Sequence, residues 1–201
     1  MGYDGAVRAA GLVVMLAAAA CAREPAEAVC PALVAGDLVV TEVRGPQVPE
    51  DASGAWIELY NASGGPIDLL GIRVRFRSLQ DAKAAGIPIL VRRSLAAAAR
   101  SYTVLGLFDD ADPPPHVDYG FLGDFSAHER AWVDQGAVEV ETCGALIDHA
   151  PYDLLPDKGT HSLGGAPDAN RNDLPASWCT DATQVGATFP GTPRSQNIRC
   201  P

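Results

Sequence analysis

A chain of 201 residues with 47% hydrophobic and 20% charged residues can bury the core of one domain, and it is too apolar for a disordered acidic chain. Its net charge of −10 disfavours nucleic acid as a partner, because affinity for phosphate backbones comes from Lys and Arg releasing counterions. Aromatic residues are sparse at 6% while Gly (20) and Pro (16) abound, a balance that suits short strands and turns better than long helices.

Residues 1–20 read as a signal peptide. One cation, Arg8, precedes an apolar run from Ala9 to Ala20. That run is short of the about 20 residues a bilayer span needs, but it fits the apolar region of a secretory signal. It ends in Ala18-Ala19-Ala20-Cys21, small residues before a cysteine, as in a bacterial lipobox. Cys21 then becomes the lipidated first residue of the mature chain and its attachment to the membrane. Ordinary cleavage after Ala18-Ala19-Ala20 or Ala20-Cys21-Ala22 is the alternative. Both predict export to the bacterial cell envelope, lipid-anchored at the periplasmic or outer surface, or else secretion. Residues 21–35 follow as a short tether, and residues 36–201 as the domain.

The cysteines agree with export. With Cys21 set aside, Cys30, Cys143, Cys179 and Cys200 are enough for two disulfides, in any of three pairings. The expected pairing is Cys30–Cys200, tying the two ends together, with Cys143–Cys179 closing a local loop. No C-x-x-C or Cys/His cluster has the spacing of zinc ligands.

Strand signals begin at Gly36. Leu38 to Val43 is rich in Val and Thr. Gly45 to Gly54 is a loop. In Trp56-Ile-Glu-Leu-Tyr-Asn61, period-two alternation puts Trp56, Glu58 and Tyr60 on one face and Ile57 and Leu59 on the other. After the turn Ala62–Pro66, Ile72, Val74 and Phe76 alternate with Arg73, Arg75 and Arg77, which predicts a strand with its arginines in water. The other basic run, Arg92-Arg93, also reads as solvated sheet surface. Leu79 to Ala85 is expected to form a short helical turn, Ile87 to Arg92 a strand, and Ser101 to Leu107 another. Leu95 to Arg100 has helix propensity but is too short to stand alone. Asp109 to His116, with three consecutive prolines, is expected as an exposed loop. Val117 to Phe125 is expected as a bent strand, and Ala137–Glu141 and Ala145–His149 as two strands around Thr142-Cys143-Gly144. Residues after Thr160 read as loop-rich, ending in Gly191-Thr-Pro-Arg-Ser-Gln-Asn197. Seven to nine short strands predict an all-β antiparallel sandwich.

These residues also carry a family resemblance. The pieces are Gly36–Val43, Trp56–Asn61, Ile67-Asp-Leu69 with Gly71, Ser101–Gly106, Asp118-Tyr119, Phe125-Ser126, Ala145–Asp148, His161–Leu163, Asn172-Asp173 with Ser177-Trp178-Cys179, and Gly191-Thr-Pro193 with Asn197. In this order they resemble the lamin tail domain in its bacterial exported form. Ala55 stands where the family has an acid, Ile72 where it has Trp, and residues 127–136 replace a more polar turn. The resemblance implies an immunoglobulin-like antiparallel β-sandwich with long loops. It carries no catalytic residues, and it implies a surface or periplasmic module whose ligands are mostly unknown.

Candidate chemistry is thin. The four histidines (His116, His128, His149, His161) show no metal or catalytic spacing, and no nucleophile elbow occurs. No catalytic residue and no cofactor are expected. Glu58 is expected as a buried acceptor for loop amides, and Asn61 as the start of an Asx turn. Asp168, Asn170, Asn172 and Asp173 alternate oxygens like the opening of a calcium loop, but the sixth and twelfth positions of that pattern lack the required Gly and acid. Asp109, Asp110 and Asp112 are the loop acids that could assist such a site. Trp132, near a turn, could stack on a sugar or a protein partner, or cap the sandwich. The expectation is a non-enzymatic envelope binding or structural module with a protein or glycan ligand. The alternative is a small exported hydrolase or calcium-dependent binder built from loop Asp and His residues. The sequence leaves the oligomeric state open.

Overall fold

The computed structural model describes residues 29–47, 53–81, 86–125, 132, 135–185 and 189–201. Cys21, the signal segment and most of the helical turn expected at Leu79 to Ala85 lie outside them. The strands in chain order are β1 (Leu38–Arg44), β2 (Trp56–Asn61), β3 (Ile67–Asp68), β4 (Arg73–Ser78), β5 (Ile87–Leu90), β6 (Ala96–Ala97), β7 (Tyr102–Gly106) and β8 (Tyr119–Gly120). A single helical turn, α1 (Leu122–Phe125), precedes β9 (Gly136–Thr142), β10 (Ala145–Tyr152), β11 (Thr160–Leu163), β12 (Trp178–Asp181), β13 (Gln184–Val185) and β14 (Phe189–Pro190).

Two sheets form the expected all-β sandwich. The larger has the order β12-β11-β1-β2-β7-β8 and the smaller β10-β9-β4-β5. Every pairing is antiparallel except β7 with β8. The core lies between them. Val43, Ile57, Leu59, Leu105 and Leu163 of the large sheet meet Val74, Phe76, Ile89, Val138 and Val140 of the small one. Trp132 is half-buried at the margin of this core, edge-on to Phe76 with ring centroids 4.4 Å apart. The alternation in β4 holds, but its arginines do not simply face water. Arg75 and Arg77 form diagonal ion pairs with Glu141 and Glu139 of β9, at 3.1 and 2.9 Å.

Several expectations change. Ala96-Ala97 pairs with Ile67-Asp68 as a two-stranded ribbon, so its backbone bonds go to a neighbour and not along a helix. Val117 to Phe125 is one bridge of strand and then α1. The segment after Thr160 contains β11 and β12, which extend the large sheet beyond β1. His116 is buried within its proline-rich loop, edge-on to Trp56 at 5.0 Å and within 3.1 Å of the Ser53 carbonyl.

The disulfides are Cys30–Cys143 and Cys179–Cys200, not the pairing expected from the sequence. The chain leading into β1 runs past the β9–β10 turn, where the Thr142 hydroxyl donates to the Pro31 carbonyl. That brings the Cα atoms of Cys30 and Cys143 to 5.5 Å. The C-terminal segment returns past β12, which puts Cys200 5.6 Å from Cys179. Both separations fall in the range a disulfide can bridge. The expected turn at Cys143-Gly144 forms with φ of 44° and 87°, the double left-handed conformation of a tight hairpin. Peptide mapping of the oxidised protein should recover these two crosslinks and not the Cys30–Cys200 one. Replacing both Cys30 and Cys143 with Ser should cost about 2–5 kcal/mol in urea unfolding.

Candidate functional site

The outward face of the large sheet holds the most unusual chemistry. Between Val40 and Glu42 the β1–β2 register slips by one residue, so Thr41 and Glu42 emerge together on the side of Glu58. Glu42 and Glu58 are opposite each other in register, and both are completely buried. The cover is the C-terminal segment from Gly191 to Asn197. Glu42 Oε1 accepts from the Thr192 backbone N–H (3.0 Å) and hydroxyl (2.8 Å), and from the hydroxyls of Ser162 (3.1 Å) and Thr160 (3.4 Å). Glu58 accepts from the Thr41 hydroxyl (2.7 Å) and the Arg194 backbone N–H (2.6 Å). The expectation that Glu58 is a buried acceptor holding a loop amide is met.

Burial pushes both carboxyls above the ordinary range. Glu58 moves furthest, because Glu42 beside it adds like-charge repulsion to desolvation. Glu42 Oε1 gathers the donors of the strap and β11, whereas Glu58 is left with the Thr41 hydroxyl and the Arg194 N–H. A protonated Glu58 Oε1 can donate to the Thr41 oxygen while the Thr41 hydroxyl turns to the Glu58 carbonyl, 3.4 Å away. Desolvation also pushes the nearby Tyr102 phenol up to about 12. Asn197 closes the arrangement, its amide donating to the Thr41 and Leu163 carbonyls at 2.7 and 3.1 Å. The Arg194 side chain ties this strap to the loop before β8, through the Pro115 carbonyl (3.0 Å) and Asp118 (2.6 Å).

A second buried acid sits where the two sheets approach. A register slip between Leu146 and Asp148 leaves Asp148 bonded to the Val40 N–H at 2.7 Å and the Asn172 side-chain amide at 2.6 Å. Burial is the main reason its carboxyl is pushed up to about 7. Asp148 lines a groove of about 250 Å³ with Gly36, Leu146, His149, Asn170 and Asp173. In it His149 Nδ1 and Asp173 are 3.5 Å apart.

The four residues of the calcium-like run have separate roles. Asp168 Oδ1 takes the backbone N–H groups of Asn170 (2.9 Å) and Arg171 (3.0 Å). Asn172 turns into the interior, and its carbonyl takes the Trp178 indole N–H at 2.7 Å. Asn170 and Asp173 reach the groove. No group of three or more His, Cys, Asp or Glu that could hold a metal occurs among the described residues. In the proline-rich loop Asp109 bonds the Ala111 N–H at 3.0 Å, and the Asp112 N–H bonds the Asp109 carbonyl at 3.3 Å. Asp110 takes Arg93 through both oxygens and also the Gly120 N–H. Partial burial works against its charge, but Arg93 and that amide outweigh it and hold the carboxyl below its usual range. Asn61 forms the expected turn, accepting the Ser63 N–H at 2.9 Å. No role for His161 is legible in the sequence beyond its place in the family pieces. It stacks flat on Trp178 at 4.7 Å, and burial lowers its imidazole to about 4. Glu42 was also missed, although an acid interrupting a Val/Thr strand was the available signal.

A buried acid with a raised pKa holds its proton in the folded state and loses it when unfolded, so stability falls as pH rises between the two values. For Asp148 that window runs from 3.8 to about 7, and Glu42 and Glu58 act in the same direction from 4.5 upward. Urea midpoints should therefore decline from mildly acidic pH toward neutrality. Asp148→Asn, which keeps an acceptor, should flatten that decline. Glu58→Gln should fold and lose less stability above neutral pH than the parent. Thr192→Ala, which removes a donor from Glu42, should cost about 1–3 kcal/mol.

No family profile, curated protein or solved structure matches this chain.

Proposed function

We propose that this chain is an exported, non-enzymatic cell-envelope module of the lamin-tail type, anchored by lipid on Cys21 or released by cleavage. It presents loops on a rigid sandwich to a protein or glycan ligand. The observation that carries the proposal is the use made of the buried acids. Glu42 and Glu58 turn their oxygens to strand hydroxyls and strap amides, so two fully buried carboxyls of the domain hold its C-terminal segment in place. The two disulfides add support, since such crosslinks persist in oxidising compartments outside the cytoplasm.

One observation favours a second reading, a small hydrolase. Asp148, with its carboxyl near 7, and the His149–Asp173 pair share one groove, where a proton carrier poised near neutral pH could act.

Fractionation of cells making the chain and its Cys21→Ser variant tests the first proposal. The parent should pellet with membranes and the variant should not, and crosslinking in the envelope should capture a partner through the loops. A cytoplasmic, fully reduced protein would overturn export. Hydrolysis of a panel of model esters that His149→Ala abolishes without unfolding would replace the first reading with the second.

A further inference from the structure

Five arginines of this acidic chain are matched with carboxylates: Arg75 with Glu141, Arg77 with Glu139, Arg92 with Asp124, Arg93 with Asp110 and Arg194 with Asp118. Arg171 and Arg199, like Arg73 and Arg100, have no such match among the described residues, and what sets the first two apart is that they share a groove. Neither guanidinium meets a carboxylate among the described residues, yet both line one groove of about 390 Å³. Its walls also include Gly164, Gly165, Ser177 and the Cys200 half of the C-terminal disulfide.

The groove is built by close approach. A Cβ on Gly164 would lie 2.6 Å from the Cys200 sulfur, so only glycine lets the C-terminal segment pass there. The Gly164 N–H is bonded to the Ser177 carbonyl, and the Gly165 N–H to the Ile198 carbonyl. Arg171 is positioned by the Gly164 carbonyl at 3.0 Å and the Ala166 carbonyl at 3.5 Å. Asp168 takes the backbone N–H of Arg171 but not its side chain. Two bonds to carbonyls leave a guanidinium further donors and all of its charge. Arg199 is exposed and has no hydrogen bond of its own among the described residues. Ser177 adds a hydroxyl to the wall.

We propose that this groove binds a phosphomonoester, with Arg171 and Arg199 as its two guanidinium donors. Two guanidinium charges with no side-chain carboxylate partner among the described residues match a group that carries about −1.5 to −2 at neutral pH, and the planar fork of Arg suits its oxygens. A single carboxylate would leave one of the cations unmatched. The site is separate from the Asp148 groove. It assumes nothing about export or anchorage, so failure of either proposal leaves the other standing.

The test uses the oxidised full chain, titrated with glycerol phosphate at constant ionic strength with chloride as control. A parallel arm uses vesicles of phosphatidylcholine with or without phosphatidic acid, which presents the same group on a lipid. Saturable binding of the soluble ester, or added retention on phosphatidic acid vesicles, supports the site and identifies the source of the phosphate. Arg199→Gln should weaken that binding at least about tenfold, the loss of one charge-assisted contact. Arg171→Gln should do the same, but it also releases two backbone carbonyls, so the exposed Arg199 decides the matter. Reducing the Cys179–Cys200 disulfide should weaken binding too. Absence of binding in both arms, or equal binding by Arg199→Gln, would overturn the proposal.

Discussion

Two glutamates directly opposite each other on neighbouring strands, both without solvent, set the constraint that organises the outer face of the large sheet. Two charges there would repel at close range in a medium that screens them poorly, and each would also have lost its hydration. The fold resolves this by asymmetry. Glu42 collects donors from β11 and the strap, while Glu58 has a hydroxyl partner that can either donate or accept. Neither arrangement works without the C-terminal segment, because the Thr192 and Arg194 backbone N–H groups come from it.

The rest of that end of the molecule follows from keeping the strap seated. Asn197 bonds it to β1 and β11, Arg194 bonds it to the loop before β8, and Cys200 crosslinks it to β12. An outward sheet face that would ordinarily be wet is thereby sealed. Trp56 is completely buried on that face, between the Arg44 guanidinium, 4.9 Å from its ring, and the His116 ring. At the opposite margin of β1, Asp148 applies the same device once more. It is a buried carboxyl satisfied by a strand N–H left over from a register slip and by one side-chain amide.

Local features survived the passage from sequence to structure best. The alternation of Val74 and Phe76 with arginines, the strands at Trp56–Asn61 and Tyr102–Gly106, the Asn61 turn and the Cys143-Gly144 hairpin all depend on neighbours within a few residues. Features that depend on a distant partner were lost or misread. Leu95 to Arg100 has helix propensity but is too short to form a helix alone, and Ile67-Asp68 supplies Ala96-Ala97 with a ladder. The prolines before His116 rule out sheet pairing and so predict an exposed loop, but the loop folds the His116 ring onto Trp56. Of the suspected site residues, Asn170 and Asp173 come to a common groove, where they join Asp148 and His149, which no spacing connected.

By itself, the sequence determined the all-β class, most of the strands and the presence of enough cysteines for two crosslinks, because periodicity, turn chemistry and residue counts are properties of the chain alone. Tertiary structure alone decided which cysteines pair, that Glu42 and Glu58 share one buried site, and that Arg171 and Arg199 face the same groove. Each of these depends on the path of the terminal segments across the sheets; the Cys30–Cys143 crosslink and the strap contacts to Glu42 and Glu58 join residues more than a hundred positions apart, while Cys179 and Cys200 are 21 apart. Such proximity is fixed by which strands pair and where register slips, and no local pattern encodes it.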